Sequence, residues 1–302
     1  MASPIPTSTA DHTPRTATAP PTQFTGSIPE DYDRHLGPLL FDFSGRDMAQ
    51  RVEVALGGQA SARVLEVACG TGISTEHLWR QLPSGTRIVA TDLSPAMLEH
   101  ATERRGDLPG VSFQQAAADA LPFDDSHFDA LVCQFGIMFF QDKPTALAEF
   151  ARVLKPGGLL AFSVWESHDK NPVVGLSHRT IASFFASDPP GFLKLPFSYY
   201  DVHEISTLVA DAGFGGVEAW RVRETVRSSD AHGIARGFVM GNPSVNEIRG
   251  RGSADSDEII RTLAERIEAA FGTGEATPGS AGGGATELSL ALEEITFTAT
   301  RR

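Results

Sequence analysis

The chain has 302 residues, 41% of them hydrophobic and 21% charged, with 25 basic against 38 acidic side chains and a net charge of −13. That length and composition suit one elaborated globular domain, or one domain with an insert, with a sizeable core; the acidic balance disfavours nucleic acid or an anionic membrane surface as partner. Two cysteines are too few for a disulfide scaffold or zinc site, no apolar run approaches the ~18 residues of a membrane span, and the N-terminus lacks the order of a secretory signal, so a cytoplasmic protein without a metal is expected.

Residues 1–24, rich in Thr, Pro and Ala, read as a disordered tail. A helical pattern covers Ile28 to Leu56, started by Pro29, Glu30 and Asp31, and the region 25–60 is read as an N-terminal helical lid. Strand and helix signals then alternate. Strands are predicted at Arg63–Val67, Arg87–Thr91, Val111–Gln115, Phe128–Phe135, Leu159–Val164 and Val217–Val226; helices at Ile73–Gln81, Pro95–Arg104, Lys143–Val153 and Val202–Ala212. This alternation implies parallel βαβ units, an α/β fold with a doubly wound sheet, and a core spanning 61–228. The remainder, 229–302, reads as C-terminal helices including Asp255–Phe271, a flexible loop over 272–286 with Gly282-Gly283-Gly284, and a last strand. Ligands of such a sheet bind beyond the carboxyl ends of its strands.

The first strand, Val64-Leu65-Glu66-Val67, runs through Ala68-Cys69-Gly70-Thr71-Gly72 into a helix. Gly70 and Gly72 allow a tight turn and close approach of a ligand, and the helix N-terminus beyond offers free N–H groups. Asp92, at the end of the second strand, lies twenty residues after Gly72, where an acid can accept the hydroxyls of a ribose; Ser94 is available to cap the next helix by itself. Asp119 follows the third strand, placed to accept the exocyclic amine of an adenine walled by Ala120 and Leu121, or to cap a loop. Gln134, at the end of the fourth strand, either bonds the amino-acid part of a ligand or is a buried amide satisfied by backbone.

A dinucleotide turn needs a third glycine, where this chain has Thr75, and an acid at Glu66 would repel a pyrophosphate. Both features disfavour a nicotinamide oxidoreductase. They suit S-adenosylmethionine, which carries a cationic ammonium and sulfonium together with a carboxylate for the turn amides.

Glu66-x-Ala68-x-Gly70-x-Gly72 followed by Asp92-Leu93-Ser94-Pro95-x-Met97-Leu98 resembles the cofactor signature of class I S-adenosylmethionine-dependent methyltransferases. Asp119-Ala120-Leu121-Pro122-Phe123, Phe128-Asp129 and Glu149-x-x-Arg152-Val153-Leu154-Lys155-Pro156-Gly157-Gly158 are similar to the ubiquinone/menaquinone-biosynthesis branch, the methyltransferase type 11 domain. The resemblance is strong from Ser61 to Val164. It implies a Rossmann-like seven-stranded sheet, mostly parallel, whose last strand, here Leu288–Thr300, is antiparallel. It implies that Gly70 and Gly72 contact the methionine portion, that Glu66 organises the turn or binds the ammonium, that Asp92 binds ribose, that Leu93 and Met97 pack the adenine, and that Asp119 and Ala120 fix its edge. One departure is that Ile137-Met138-Phe139-Phe140 stand where the quinone enzymes carry polar residues.

The implied activity is methyl transfer to a small-molecule acceptor, apolar or aromatic, by in-line displacement, yielding S-adenosylhomocysteine. Alternatives are a same-fold enzyme catalysing cyclisation or rearrangement, and a non-catalytic cofactor-binding protein; a homodimer is left open. An apolar wall of Phe135, Ile137, Met138, Phe139 and Phe140, and a second from Arg236 to Pro243, would exclude water. Candidate proton-transfer residues are Tyr32 and His35 on the N-terminal helix, and Tyr199, Tyr200 and His203 after the fifth strand, with Tyr32 better suited to close over the cofactor; His77, His100 and His127 read as solvated.

Overall fold

The computed structural model describes residues 24–276 and 286–302. The expected tail, except Phe24, and the part of the expected loop at 277–285 lie outside the described residues. The N-terminal helical stretch is continuous: α1 (Ile28–Asp31) runs through a π-wound segment (Tyr32–Phe41) into α2 (Asp42–Leu56), which Gly57 ends in a left-handed conformation. There follow β1 (Arg63–Val67), α3 (Ile73–Gln81), β2 (Arg87–Asp92), α4 (Pro95–Arg105), β3 (Val111–Gln115), β4 (Phe128–Gln134), α5 (Lys143–Val153), β5 (Leu154–Trp165), α6 (Pro172–Ala182), α7 (Val202–Asp211), β6 (Phe214–Ser228), α8 (Ala231–Met240), α9 (Ser244–Arg251), α10 (Ser256–Phe271), β7 (Gly272–Ala276) and β8 (Thr286–Arg301).

Local chemistry accounts for the boundaries. The Ser94 Oγ accepts from the Met97 N–H at the start of α4, and the carboxylates of Asp142, Asp201 and Asp255 do the same for α5, α7 and α10. β1 and β4 are buried almost throughout because helices cover both faces of a parallel sheet. The strands lie in the order β3-β2-β1-β4-β5-β8-β6. All pair in parallel up to β5; β8 runs antiparallel to both β5 and β6. The expected seven-stranded path with one antiparallel strand is therefore present, and β7 adds an eighth strand against β8. Gly272–Ala276, expected in the flexible loop, is that strand: it pairs with Thr286–Leu288. β5 and β6 are longer than predicted, and α6, which the sequence reading did not mark, has Pro172 in its first turn.

Two large apolar clusters result. One lies where α5 and α7 pack on the sheet and includes Phe150, Phe162, Ile205 and Phe297; the other joins the N-terminal helices to α6, α8 and α10, through Leu36, Phe43, Val174, Phe238 and Leu263. The order reverses between β1 and β4, so the crevice at their carboxyl ends is the expected binding position. Among the described residues no helix is long and apolar enough to cross a membrane.

Candidate functional site

At the carboxyl end of β1 the chain turns through three left-handed residues, Ala68 (φ 57°), Gly70 (φ 56°) and Gly72 (φ 86°). Phe135, just past β4, is also left-handed (φ 52°). Such backbone costs a non-glycine residue about 1–3 kcal/mol and tends to gather at binding sites; here both strained non-glycine residues line one cavity. That cavity, of about 290 Å³, is also lined by Tyr32, Glu66, Thr71 and Gln134. Glu66 is 1% exposed. Its Oε2 accepts from the Thr75 hydroxyl at 2.5 Å, and its Oε1 has no partner. Burial pushes the Glu66 carboxyl up to about 7, against the pull of the Thr75 bond. The Thr71 hydroxyl and the Gln134 Nε2 are likewise buried without a partner. Buried polar atoms are normally paired, since an unpaired one costs about 1–3 kcal/mol. With the Ser74 hydroxyl, four such atoms stand around one cavity and describe a site whose bonds a ligand completes. A carboxylate suits an ammonium, and an amide donor with a hydroxyl suits a carboxylate; the residues present therefore fit the methionine portion of S-adenosylmethionine.

Asp92 is less free than the sequence suggested. Ser94 does cap α4, yet the Asp92 Oδ2 accepts from the Gly70 N–H (2.9 Å) and its Oδ1 from the Ser94 N–H (2.8 Å). The carboxylate thus ties the glycine turn to the start of α4, and its remaining lone pairs are left for a ligand. Burial pushes its carboxyl up, while these backbone bonds hold it down. Leu93 is 66% exposed at the same rim and Met97 is buried beneath. Asp119 and Ala120 are exposed on a loop pinned by the Leu121 N–H, which donates to Glu149, and by Arg152, which donates to the Leu121 and Phe123 carbonyls. The Gln134 Nε2 has no backbone partner.

A second cavity, of about 500 Å³ and almost wholly apolar, shares Tyr32, Phe41 and Phe135 with the first. Phe135 stacks on Trp165 at 4.0 Å between centroids, and Tyr32 on Phe41 at 4.7 Å. Phe24, Phe139, Phe192 and Phe197 continue the wall. Of the expected apolar wall, Phe135, Met138 and Phe139 line this cavity, whereas Ile137 and Phe140 pack into the core against the sheet. From the Arg236–Pro243 segment, Phe238 and Asn242 line it. The Asn242 amide is spent on backbone: its Nδ2 donates to the Phe238 carbonyl and its Oδ1 accepts from the Ser244 N–H.

Of the proton-transfer candidates, only Tyr32 reaches the cavities. Burial and the nearby Asp92 hold its phenol well above the ordinary range, so it keeps its proton. His35 lines neither cavity: its ring stands 3.9 Å from the Asp31 carboxylate, which Arg236 also holds, and it packs against Gly237 of α8. His203 is in the first turn of α7, which packs on β6, its backbone N–H donates to the Asp201 cap, and it lines neither cavity. Tyr200 is exposed, and the Tyr199 hydroxyl is buried outside both linings. Nor are His77 and His100 solvated: His77 meets the Asp42 carboxylate at 2.9 Å and His100 lies 3.6 Å from Asp33, so both hold the N-terminal helices. The sequence reading missed Thr71 and the aromatic residues at 24, 41, 165, 192 and 197, which come from five separate segments.

Residues 65–162 match the family model of the methyltransferase domain. The chain is 33% identical over 186 residues to the demethylmenaquinone methyltransferase of Clavibacter sepedonicus, covering 61% of this chain and 70% of that one. It is 32% identical over 209 residues to the demethylmenaquinone methyltransferase of Thermobifida fusca, covering 65% and 86%. Its fold is similar to the crystal structure of the YcgJ protein from Bacillus subtilis, with a TM-score of 0.52 and 19% identity over 86% of this chain and 98% of that one.

Proposed function

Because the chain belongs to the class I S-adenosylmethionine-dependent methyltransferases, in the branch similar to the ubiquinone/menaquinone-biosynthesis enzymes, we propose that it methylates a small apolar, aromatic-ringed acceptor held in the larger cavity. The carrying observation is the pair of cavities with one shared wall, one edged by unpartnered buried polar atoms and the other aromatic.

On this reading Glu66 and Gln134 hold the amino-acid end of the cofactor, with Gly70 and Gly72 admitting it closely. Asp92 accepts from the ribose, Leu93 and Met97 lie against the adenine, and Asp119 and Ala120 meet its edge. The bound cofactor supplies an electrophilic methyl on a sulfonium. The chain's own task is alignment, which can supply up to roughly 7–11 kcal/mol in favourable systems. Tyr32, Phe41 and Phe135 form the partition between the cavities and keep water from the line of transfer. Tyr32 acts as a wall and not as a base, because its phenol stays protonated. The N-terminal helices close the site as a lid, and the partner is a small molecule and not nucleic acid.

Calorimetric titration tests the cofactor, with NAD as comparison: micromolar binding of S-adenosylmethionine alone is expected, and binding of NAD alone would overturn the reading. An acceptor panel then follows formation of S-adenosylhomocysteine. It begins with a reduced naphthoquinone, since similar relatives are demethylmenaquinone methyltransferases, and extends to phenols and fused-ring aromatics. Conversion of acceptors without S-adenosylhomocysteine would favour rearrangement instead.

A further inference from the structure

We propose that Arg105 is a positioning residue that sets the methionine end of the cofactor site by clamping the lid helix to the glycine turn; this rests on the cofactor reading above. Arg105 is the last residue of α4, sequence-distant from both parts it joins, and is 9% exposed. Its Nη1 donates to the Asp33 carboxylate at 3.1 Å and to the Thr71 carbonyl at 2.9 Å, while its Nε donates to Glu76 of α3 at 3.0 Å. Asp33 follows Tyr32, which forms the wall between the cavities. Thr71 sits between the two glycines and presents one of the unpartnered hydroxyls. One planar guanidinium therefore holds Thr71, which lines the smaller cavity, and Asp33, the chain neighbour of a second lining residue, Tyr32.

The turn is shaped around it. A Cβ on Gly72 would stand 3.0 Å from the Arg105 Cδ, closer than ordinary contact, so Gly72 serves a packed arginine as well as a left-handed backbone. Asp33 is itself enclosed, with His100 and Arg104 at 3.6 and 3.9 Å from its other oxygen. Charge-assisted bonds of this kind are stronger than neutral ones, and their fork geometry is specific to arginine. A lysine could keep the charge but could not reach Asp33, Thr71 and Glu76 together.

The experiment measures Arg105→Lys and Asp33→Asn by calorimetry against S-adenosylmethionine and against methylthioadenosine, which has the nucleoside half without the amino acid, with Tm recorded for each. A loss of about tenfold for S-adenosylmethionine is expected in each variant, with less than twofold change for methylthioadenosine, and the double variant no worse than the weaker single. Unchanged S-adenosylmethionine affinity in either folded variant overturns the proposal. Equal loss for both ligands also overturns it, because a merely structural role would loosen the whole site. If Arg105→Lys fails to fold, Asp33→Asn carries the same comparison from the other end of the clamp. A wild-type protein that binds neither ligand overturns the cofactor reading, and this inference with it.

Discussion

Glu66 and Glu294 are both buried carboxylates, yet burial has a different use for each. Glu66 keeps one oxygen unpartnered beside a cavity and sits up at about 7. If that oxygen meets the cofactor ammonium, binding requires the ionised form, so affinity should rise with pH through about 7 and then level. One unit below that value the linkage is worth about 1.4 kcal/mol, roughly tenfold. Calorimetry at about pH 6 and pH 8 should show this change in the wild type and lose it in Glu66→Gln. Asp92→Ala, which removes both the proposed ribose acceptor and the tie from Gly70 to Ser94, should weaken S-adenosylmethionine at least tenfold, about 1.4 kcal/mol; unchanged affinity in a folded variant would sink the assignment. Glu294 instead accepts from Ser44 of α2 and Thr296 of β8, and burial pushes it from the ordinary 4.5 up to about 8. Between those values the folded chain holds a proton that the unfolded chain has released. Its contribution is therefore complete below about 4.5, falls as pH rises, and is gone above about 8. Relative to Glu294→Gln, the wild-type Tm should drop as pH is raised from about 5 to 8; parallel curves would refute the linkage.

At the scale of elements, β8 carries the sheet. Phe297 of β8 stacks on Phe162 of β5 at 4.9 Å with neither ring exposed. Phe297→Ala should cost about 3–5 kcal/mol, read from denaturant unfolding, because a cavity opens between strands that cannot collapse. The strand–helix alternation through β5 was legible because apolar runs and capping residues such as Ser94 are local signals. The glycine turn, Glu66 and Asp92 were legible for the same reason: each sits at a strand-to-helix turn, the first two between β1 and α3 and Asp92 between β2 and α4. The π winding of Tyr32–Phe41 was not, since its i→i−5 bond from Asp42 to Gly37 has no mark in the residue pattern. β7 was hidden in a glycine-rich stretch whose strand character comes from pairing with β8. Arg105 and the aromatic wall were hidden because their partners are brought together only by topology.

For the molecule as a whole, the two clusters divide the labour. The sheet and its helices present the residues proposed to hold the cofactor, and the cluster joining the N-terminal helices to α6, α8 and α10 encloses the larger cavity. The short 3₁₀ turn holding Phe192 is fastened to α9 by Glu247, whose Oε2 accepts from the Gly191 and Phe192 N–H groups. Phe192→Ala should raise the acceptor KM by roughly twofold to twelvefold, from the ~0.5–1.5 kcal/mol of an aromatic pair, with S-adenosylmethionine affinity held within about twofold. Equal loss of both would show that the two regions do not act separately.

The position of β8 also bears on how the protein is made. β6 emerges well before β8, yet its ladder partner is β8, and so is the outer partner of β5. Until Thr286–Arg301 arrives, β5, β6 and β7 each lack the strand they pair with, and such open edges invite association between chains. The cofactor half can settle early from neighbouring elements, whereas joining β6 to the sheet waits on the strand that comes last in chain order, a non-local step and so a slow one. A ribosome stalled before Thr286 would hold a chain with its glycine turn in place and its sheet still open.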